Sequence, residues 1–200
     1  MSDSVLDQVL AIVRKRGIVR PRELDRYGLP RQYLHRLYQR GELVRLGRGL
    51  YALPDHDLTE HHDLAEASTR VPQGVVCLLS ALRFHNLTTQ LPRAVWMAIE
   101  QKAWRPEGLT VPLRLVYMSG EAFEAGIETH EIEGVAVRVY SAAKTVADCF
   151  KFRNKIGLDV ATEALRDYRR LHRQGLDALW HFAKIDRVDR VMRPYLDMLS

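Results

Sequence analysis

Arg31, Gln32, His35, Arg36 and Gln39 fall within nine residues, with Tyr33 and Arg40 at the edges of the same stretch. Arg and Gln are the side chains that make paired hydrogen bonds to guanine and adenine edges in a major groove. Arg20 and Arg22 precede this set, and Arg45 and Arg48 follow it. Their charge and reach suit phosphate oxygens. The chemistry on offer is recognition of duplex DNA.

Catalytic chemistry is poorly supplied. Ser141-x-x-Lys144 has the spacing of a serine nucleophile with a lysine base, but Ser141 reads as a helix N-cap and Lys144 with Asp148 as an i,i+4 pair. No GxSxG elbow, Walker loop or GxGxxG is present. Glu60-His61-His62-Asp63 tempts a metal reading. Adjacent His residues on a helix diverge by about 100°, and Glu60 and Asp63 suit a helix N-terminus. A magnesium-dependent nuclease would need clustered carboxylates, and Glu100 and Glu131 stand alone. No catalytic residue, metal or cofactor is expected.

The elements that would position the basic set follow from periodicity. Val5, Leu6, Val9, Leu10, Ile12 and Val13 give a first helix from a Ser4 cap to about Arg16. Pro21 opens a second helix with Leu24 in its core, and Tyr27-Gly28-Leu29 makes a tight turn. Pro30 opens a third helix, to about Arg40, whose Leu34 and Leu37, with Tyr38 close by, face inward. Leu43–Leu46, Gly47-Arg48-Gly49 and Leu50–Ala52 read as strand, turn and strand. This order predicts a winged helix-turn-helix over residues 1–53.

Charge agrees. Residues 1–53 hold 11 Lys and Arg against 5 Asp and Glu, whereas residues 54–200 hold 19 against 20, together giving the net +5 of the chain. A positive head on a neutral body is the footprint of a phosphate-binding domain. No apolar run reaches the ~18 residues of a membrane span, and MSDSVLDQ lacks a signal-peptide core. Cys77 and Cys149 sit in apolar surroundings, as free core thiols of a reducing cytosol would.

After a linker at 54–58, residues 59–200 predict a mixed α/β domain ending in several helices, so the chain is α+β overall. Thr59 caps a helix to about Arg70; Arg93–Ile99 and Leu113–Tyr117 read as strands. Pro106-Glu107-Gly108 marks a loop. Thr129–Ile132 and Val135–Tyr140 form a hairpin about Glu133-Gly134. Ser141 caps a helix with Val146, Ala147, Cys149 and Phe150 inward. A long helix runs from Leu158 to about Arg173, and two helices follow, with Pro194 marking a kink or a start near Met192. Lys144, Lys151, Arg153, Lys155, Arg166, Arg169 and Arg170, with Arg173 at the end of the same helix, make a possible second basic surface. It would extend a DNA footprint, bind RNA or a protein, or simply be a solvated face balanced by Asp148, Asp159, Glu163 and Asp167.

Four segments resemble the AbiEi family of antitoxins: GRGLYALPD (Gly47–Asp55), CLLSALRFHNLT (Cys77–Thr88), RVYSAAKTVADCFKFRNKIGLDVATEALRDY (Arg138–Tyr168) and RVMRPYL (Arg190–Leu196). Ala143 departs from the acidic residue of many relatives, at a position expected to be exposed. The resemblance implies a cytoplasmic repressor that binds inverted repeats in its own promoter, as a monomer in solution or a cooperative dimer on DNA. It also implies an antitoxin, in a type IV toxin–antitoxin or abortive-infection operon, that opposes a nucleotidyltransferase-like toxin directly or indirectly. A ligand-responsive winged-helix regulator and a nucleic-acid-processing enzyme are the competing readings.

Overall fold

The computed structural model describes residues 2–47, 49–54, 59–101, 103 and 111–199. The chain is mixed α+β, with helices preceding strands in the head. It divides into two compact units: Met1–Thr69 with Glu131–Ala136, and Arg70–His130 with Val137–Ser200.

The head begins with α1 (Ser2–Arg16). The helix already covers position 4, so Ser4 lies in its first turn and does not cap it; nothing in this polar, unbranched start interrupts helical backbone ahead of Val5. Pro21–Tyr27 follows as a 3₁₀ helix where an α-helix was expected. Seven residues opened by proline leave few i→i−4 donors, so the tighter winding prevails. Arg20 N–H donates to Glu23 Oε2 at 2.7 Å and caps it. Gly28 then takes φ 67°, which lets the chain reverse into α2 (Gln32–Gln39). Strands β1 (Val44–Gly47) and β2 (Leu50–Ala52) pair antiparallel, with a register slip between Arg45 and Gly47. Val19 adds an unforeseen bridge: its N–H donates to Tyr51 O at 2.9 Å, and Tyr51 N–H returns the bond at 3.1 Å. Leu6, Val9, Val13, Leu24, Leu34, Leu37 and Leu43 close the core beneath. Arg48 lies outside the described residues.

Of the expected linker, residues 55–58 lie outside the described residues. Helix α3 (His62–Arg70) counts largely with the first unit. Thr59 donates to Glu133 Oε1 through its N–H at 2.8 Å and its hydroxyl at 2.9 Å, and His62 Nδ1 meets Glu133 Oε2 at 2.8 Å. The histidine of the tempting EHHD run is thus accounted for by a carboxylate partner. Burial works against ionisation of Glu133, yet the bonds from His62 and Thr59 outweigh it and hold the carboxyl below its usual range.

The second unit is built on β3 (Val75–Val76), α4 (Leu78–Phe84), β4 (Val95–Glu100), β5 (Leu113–Met118), α5 (Glu121–Glu124) and most of β6 (Ile127–Ile132) and β7 (Val135–Tyr140), whose shared turn at Glu131–Ala136 counts with the first. The Pro106–Gly108 loop falls outside the described residues. Sheet order is β5-β4-β3-β7-β6, with β3 antiparallel to β4 and parallel to β7, and β4 parallel to β5. Val135, Val137 and Val139 are buried on one face of β7, as period-two alternation predicts. Helices α6 (Ala142–Lys151), α7 (Arg153–Ile156), α8 (Leu158–Leu171), α9 (Leu176–Ile185) and α10 (Asp189–Asp197) complete the unit. α6 is its centre and packs on α4, α8 and α9. Pro194 lies inside α10, which begins well before Met192. Both cysteines are buried and free.

Ser141 caps α6: its Oγ accepts from Lys144 N–H at 3.4 Å. Ser141→Ala should therefore cost about 1 kcal/mol, read as a lower midpoint in urea with an unchanged slope. Wild-type stability would mean that the cap is idle. Ahead of it, Gly126 has φ 75°, and a Cβ there would stand 2.8 Å from Lys144 Cβ and 2.9 Å from Phe182. That close approach requires glycine.

Candidate nucleic-acid interface

On α2, Leu34 and Leu37 are fully buried, and the opposite face carries Gln32, His35, Arg36, Gln39 and Arg40, all exposed. Three-residue and four-residue spacing places Gln32, His35, Arg36 and Gln39 on one continuous surface. Tyr33 is half-buried, and the Arg36 guanidinium rests over its ring at 5.2 Å. This cation–π contact steers Arg36 along the helix face. Tyr38 was expected to lean inward but is 41% exposed. Its ring packs edge-on against Tyr51 at 6.3 Å and beside His35 at 6.2 Å, because Leu37 already fills the inward position. Tyr27, 49% exposed beside the Gly28 turn, was not singled out from the sequence.

Arg31 differs from its neighbours. Its Nε donates to Asp25 Oδ1 at 2.8 Å and its Nη2 donates to Oδ2, a fork-to-fork pair spanning the turn. The bond from Arg31 holds the Asp25 carboxyl below its ordinary range and lifts the guanidinium above its own. Arg31 therefore ties α2 to the 3₁₀ helix, with one edge of its fork already engaged. Arg20 is likewise occupied, since its Nη2 donates to Thr69 Oγ1 at 2.9 Å. Arg22 and Arg45 are exposed, and Arg40 stands 3.9 Å from Glu42.

The second basic set does not form one surface. Lys144 is 0% exposed, which corrects its placement there. Its Nζ donates to Asp148 Oδ1, and to Asp186 Oδ2 and Oδ1 at 3.1 and 3.3 Å, with the Tyr140 ring 4.9 Å away. Asp148 is buried too, so it balances no solvated face. Both belong to α6, which packs against α4, α7, α8 and α9, and the carboxylate that makes burial tolerable comes from the far end of α9. Burial works against the Lys144 ammonium, but Asp148 and Asp186 outweigh it and hold its pKa above the ordinary value. Burial raises the Asp148 carboxyl well above its usual range; Lys144 opposes this and Asp186 adds to it. Ala143 is also buried, at 6%, against the expected exposure, because it joins the same core.

Lys151 Nζ donates to Asp186 Oδ1 at 3.0 Å and ties α6 to the end of α9, and Arg153 Nη1 donates to Phe150 O at 2.8 Å and ties α7 to α6. Lys155 is exposed, its ammonium 5.6 Å from the Phe152 ring. Arg166, Arg169 and Arg170 sit apart on α8, where they line a concavity of about 470 Å³ with Arg173 and Leu199.

Among the described residues, no cluster of three or more His, Cys, Asp or Glu could hold a metal ion, and no helix is long and apolar enough to cross a membrane. Ser141 and Lys144 do not face each other as nucleophile and base. The serine caps the helix through a backbone N–H while the ammonium is committed to two carboxylates.

No curated protein matches the chain. Residues 7–54, spanning most of α1, the 3₁₀ helix, α2 and the β1–β2 hairpin, match the family described as transcriptional regulator, AbiEi antitoxin.

Proposed function

We propose that the chain is a cytoplasmic DNA-binding autorepressor and antitoxin of a toxin–antitoxin operon, without enzymatic activity of its own. Residues 1–53 serve as a winged helix-turn-helix, and residues 59–200 carry the antidote against a nucleotidyltransferase-like toxin. The observation that carries this reading is the exposed Gln32, His35, Arg36 and Gln39 face of α2, standing in a segment that matches antitoxin regulators. α2 enters the major groove and Arg36 and the two glutamines meet base edges, while Arg22, Arg45 and Arg48 meet phosphates. Arg31 positions the helix through Asp25 and approaches DNA with only its free edge. The operator is an inverted repeat taken by two copies.

Mobility shifts on the promoter ahead of the chain's own gene test this. Arg36→Ala should cost about 1–3 kcal/mol on the operator and narrow the preference over scrambled duplex. Arg45→Ala should weaken both duplexes alike. Wild-type affinity in both variants at moderate salt would remove this face from DNA binding. Co-expression with the toxin encoded alongside separates the two activities. Arg36→Ala should fail to repress and still rescue growth; loss of rescue as well would place the antidote in the DNA-reading head.

A further inference from the structure

The end of α8 and the end of α10 enclose a surface that DNA recognition by the head leaves unused. Arg166, Arg169 and Arg170 recur at i, i+3 and i+4 on α8, and Arg173 follows in the turn beyond its end at Leu171. Asp167 pairs with Arg170 at 2.9 Å. Arg166, Arg169 and Arg173 have no carboxylate partner among the described residues. The row lines the concavity of about 470 Å³. Arg166 and Leu199 also line a second hollow of about 400 Å³, with Leu158, Leu165, Tyr195 and Met198 as its apolar part and Asp159 and Thr162 as its polar part. Met198 is 79% exposed and Leu158 41%. A mostly apolar trough thus continues into an arginine cluster of which only Arg170 has a carboxylate partner among the described residues.

Those two halves together select the ligand. A nucleic-acid backbone would satisfy the arginines but leave the trough wet, since a convex duplex presents no apolar side chain to fill it. A purely apolar segment would leave the like charges of the row facing one another. A chain with apolar side chains one helical turn apart, followed by carboxylates, satisfies both: the apolar anchors enter the trough and the carboxylates meet guanidinium forks. We infer that this surface docks an acidic amphipathic helix of a protein partner, with its apolar residues over Met198 and Leu158 and its acidic end towards Arg173. The site lies wholly in the second unit and stands or falls independently of DNA binding by the head.

Selection from a displayed library of random 16-residue peptides on the full-length chain, followed by fluorescence polarisation with the recovered peptides, tests it. The recovered sequences should combine Leu, Phe or Met at helical spacing with a run of Asp or Glu. Their affinity should fall at least tenfold for Arg169→Glu/Arg173→Glu and for Met198→Asp, and stay unchanged for Arg36→Ala. Arg166→Gln/Arg173→Gln, a milder change at exposed positions, should give an intermediate loss at an unchanged melting temperature. Three results would overturn the inference. The first is recovered peptides with no acidic bias or no response to either variant. The second is a 20-nucleotide RNA or duplex DNA whose binding falls with the arginine change and ignores Met198→Asp. The third is a concentration-dependent dimer, seen by sedimentation and abolished by Met198→Asp, which would give the trough to a second copy.

Discussion

Lys144→Met should lower the unfolding free energy by about 3–5 kcal/mol at neutral pH, read from urea denaturation followed by Trp180 fluorescence on α9. The side chain is fully buried and bonds two carboxylates that are buried with it. Methionine fills the volume but leaves Asp148 and Asp186 facing each other, with only Lys151 still reaching Asp186. The cost of breaking such a set lies in the charges left behind more than in the contact removed. Asp148 Oδ2 already lacks a partner among the described residues. Its carboxyl is held well above its usual range even with the ammonium present, through burial first and the Asp186 charge in support. Without Lys144 the Asp148 carboxyl rises further. A raised folded-state value means that the native state binds more protons than the unfolded chain above the unfolded pKa, so stability falls as pH rises through that window. The deficit of Lys144→Met should therefore narrow between pH 7 and pH 5. Lys155→Met, exposed on α7, should stay within ~0.5 kcal/mol of wild type. A loss under ~1 kcal/mol for Lys144→Met, or a deficit that widens on acidification, would contradict this account of the network.

That network also shows where sequence reading stops. Ser141 as cap and Val146, Ala147, Cys149 and Phe150 as core were legible, because capping chemistry and helical periodicity are local. Lys144 and Asp148 follow the spacing of a solvated i,i+4 pair, and nothing within one helix separates that from a buried one. The deciding partner, Asp186, lies 42 residues from Lys144 and caps a different helix. The head divides the same way. Leu34 and Leu37 could be placed by spacing, and the Glu133-Gly134 turn by its dipeptide. The Val19–Tyr51 bridge could not, since one paired residue leaves no alternation to read. Arg31 was placed with the base readers on position alone; its fork on Asp25 crosses a turn whose geometry fixes the pair. The arginine row of α8 was legible as a basic face, but the apolar trough beside it required α10 to close over α8.

The engaged arginines sharpen what salt should do to operator binding. Four phosphate contacts per chain would follow from Arg20, Arg22, Arg45 and Arg48. Arg20 already donates to Thr69 through Nη2, so the expected count is three, from Arg22, Arg45 and Arg48. Each neutralised phosphate contributes about −0.9 to the slope of log affinity against log salt, so one bound chain should give about −2.7 and two copies on an inverted repeat about −5. Between 50 and 200 mM salt, this is a loss of roughly 40-fold for one chain and roughly 10³-fold for two. The same titration therefore counts copies as well as contacts. Arg22→Ala should flatten the slope by about 0.9 per chain, whereas Gln39→Ala should lower affinity at every salt concentration and leave the slope alone, because an uncharged side chain releases no counterion. Arg31→Ala should follow a third pattern. It frees α2 from Asp25, so affinity falls through lost positioning while the slope changes by less than for Arg22→Ala. A slope between 0 and −1 for the wild-type chain would mean that Arg22, Arg45 and Arg48 do not meet a DNA backbone, whatever the face of α2 contacts.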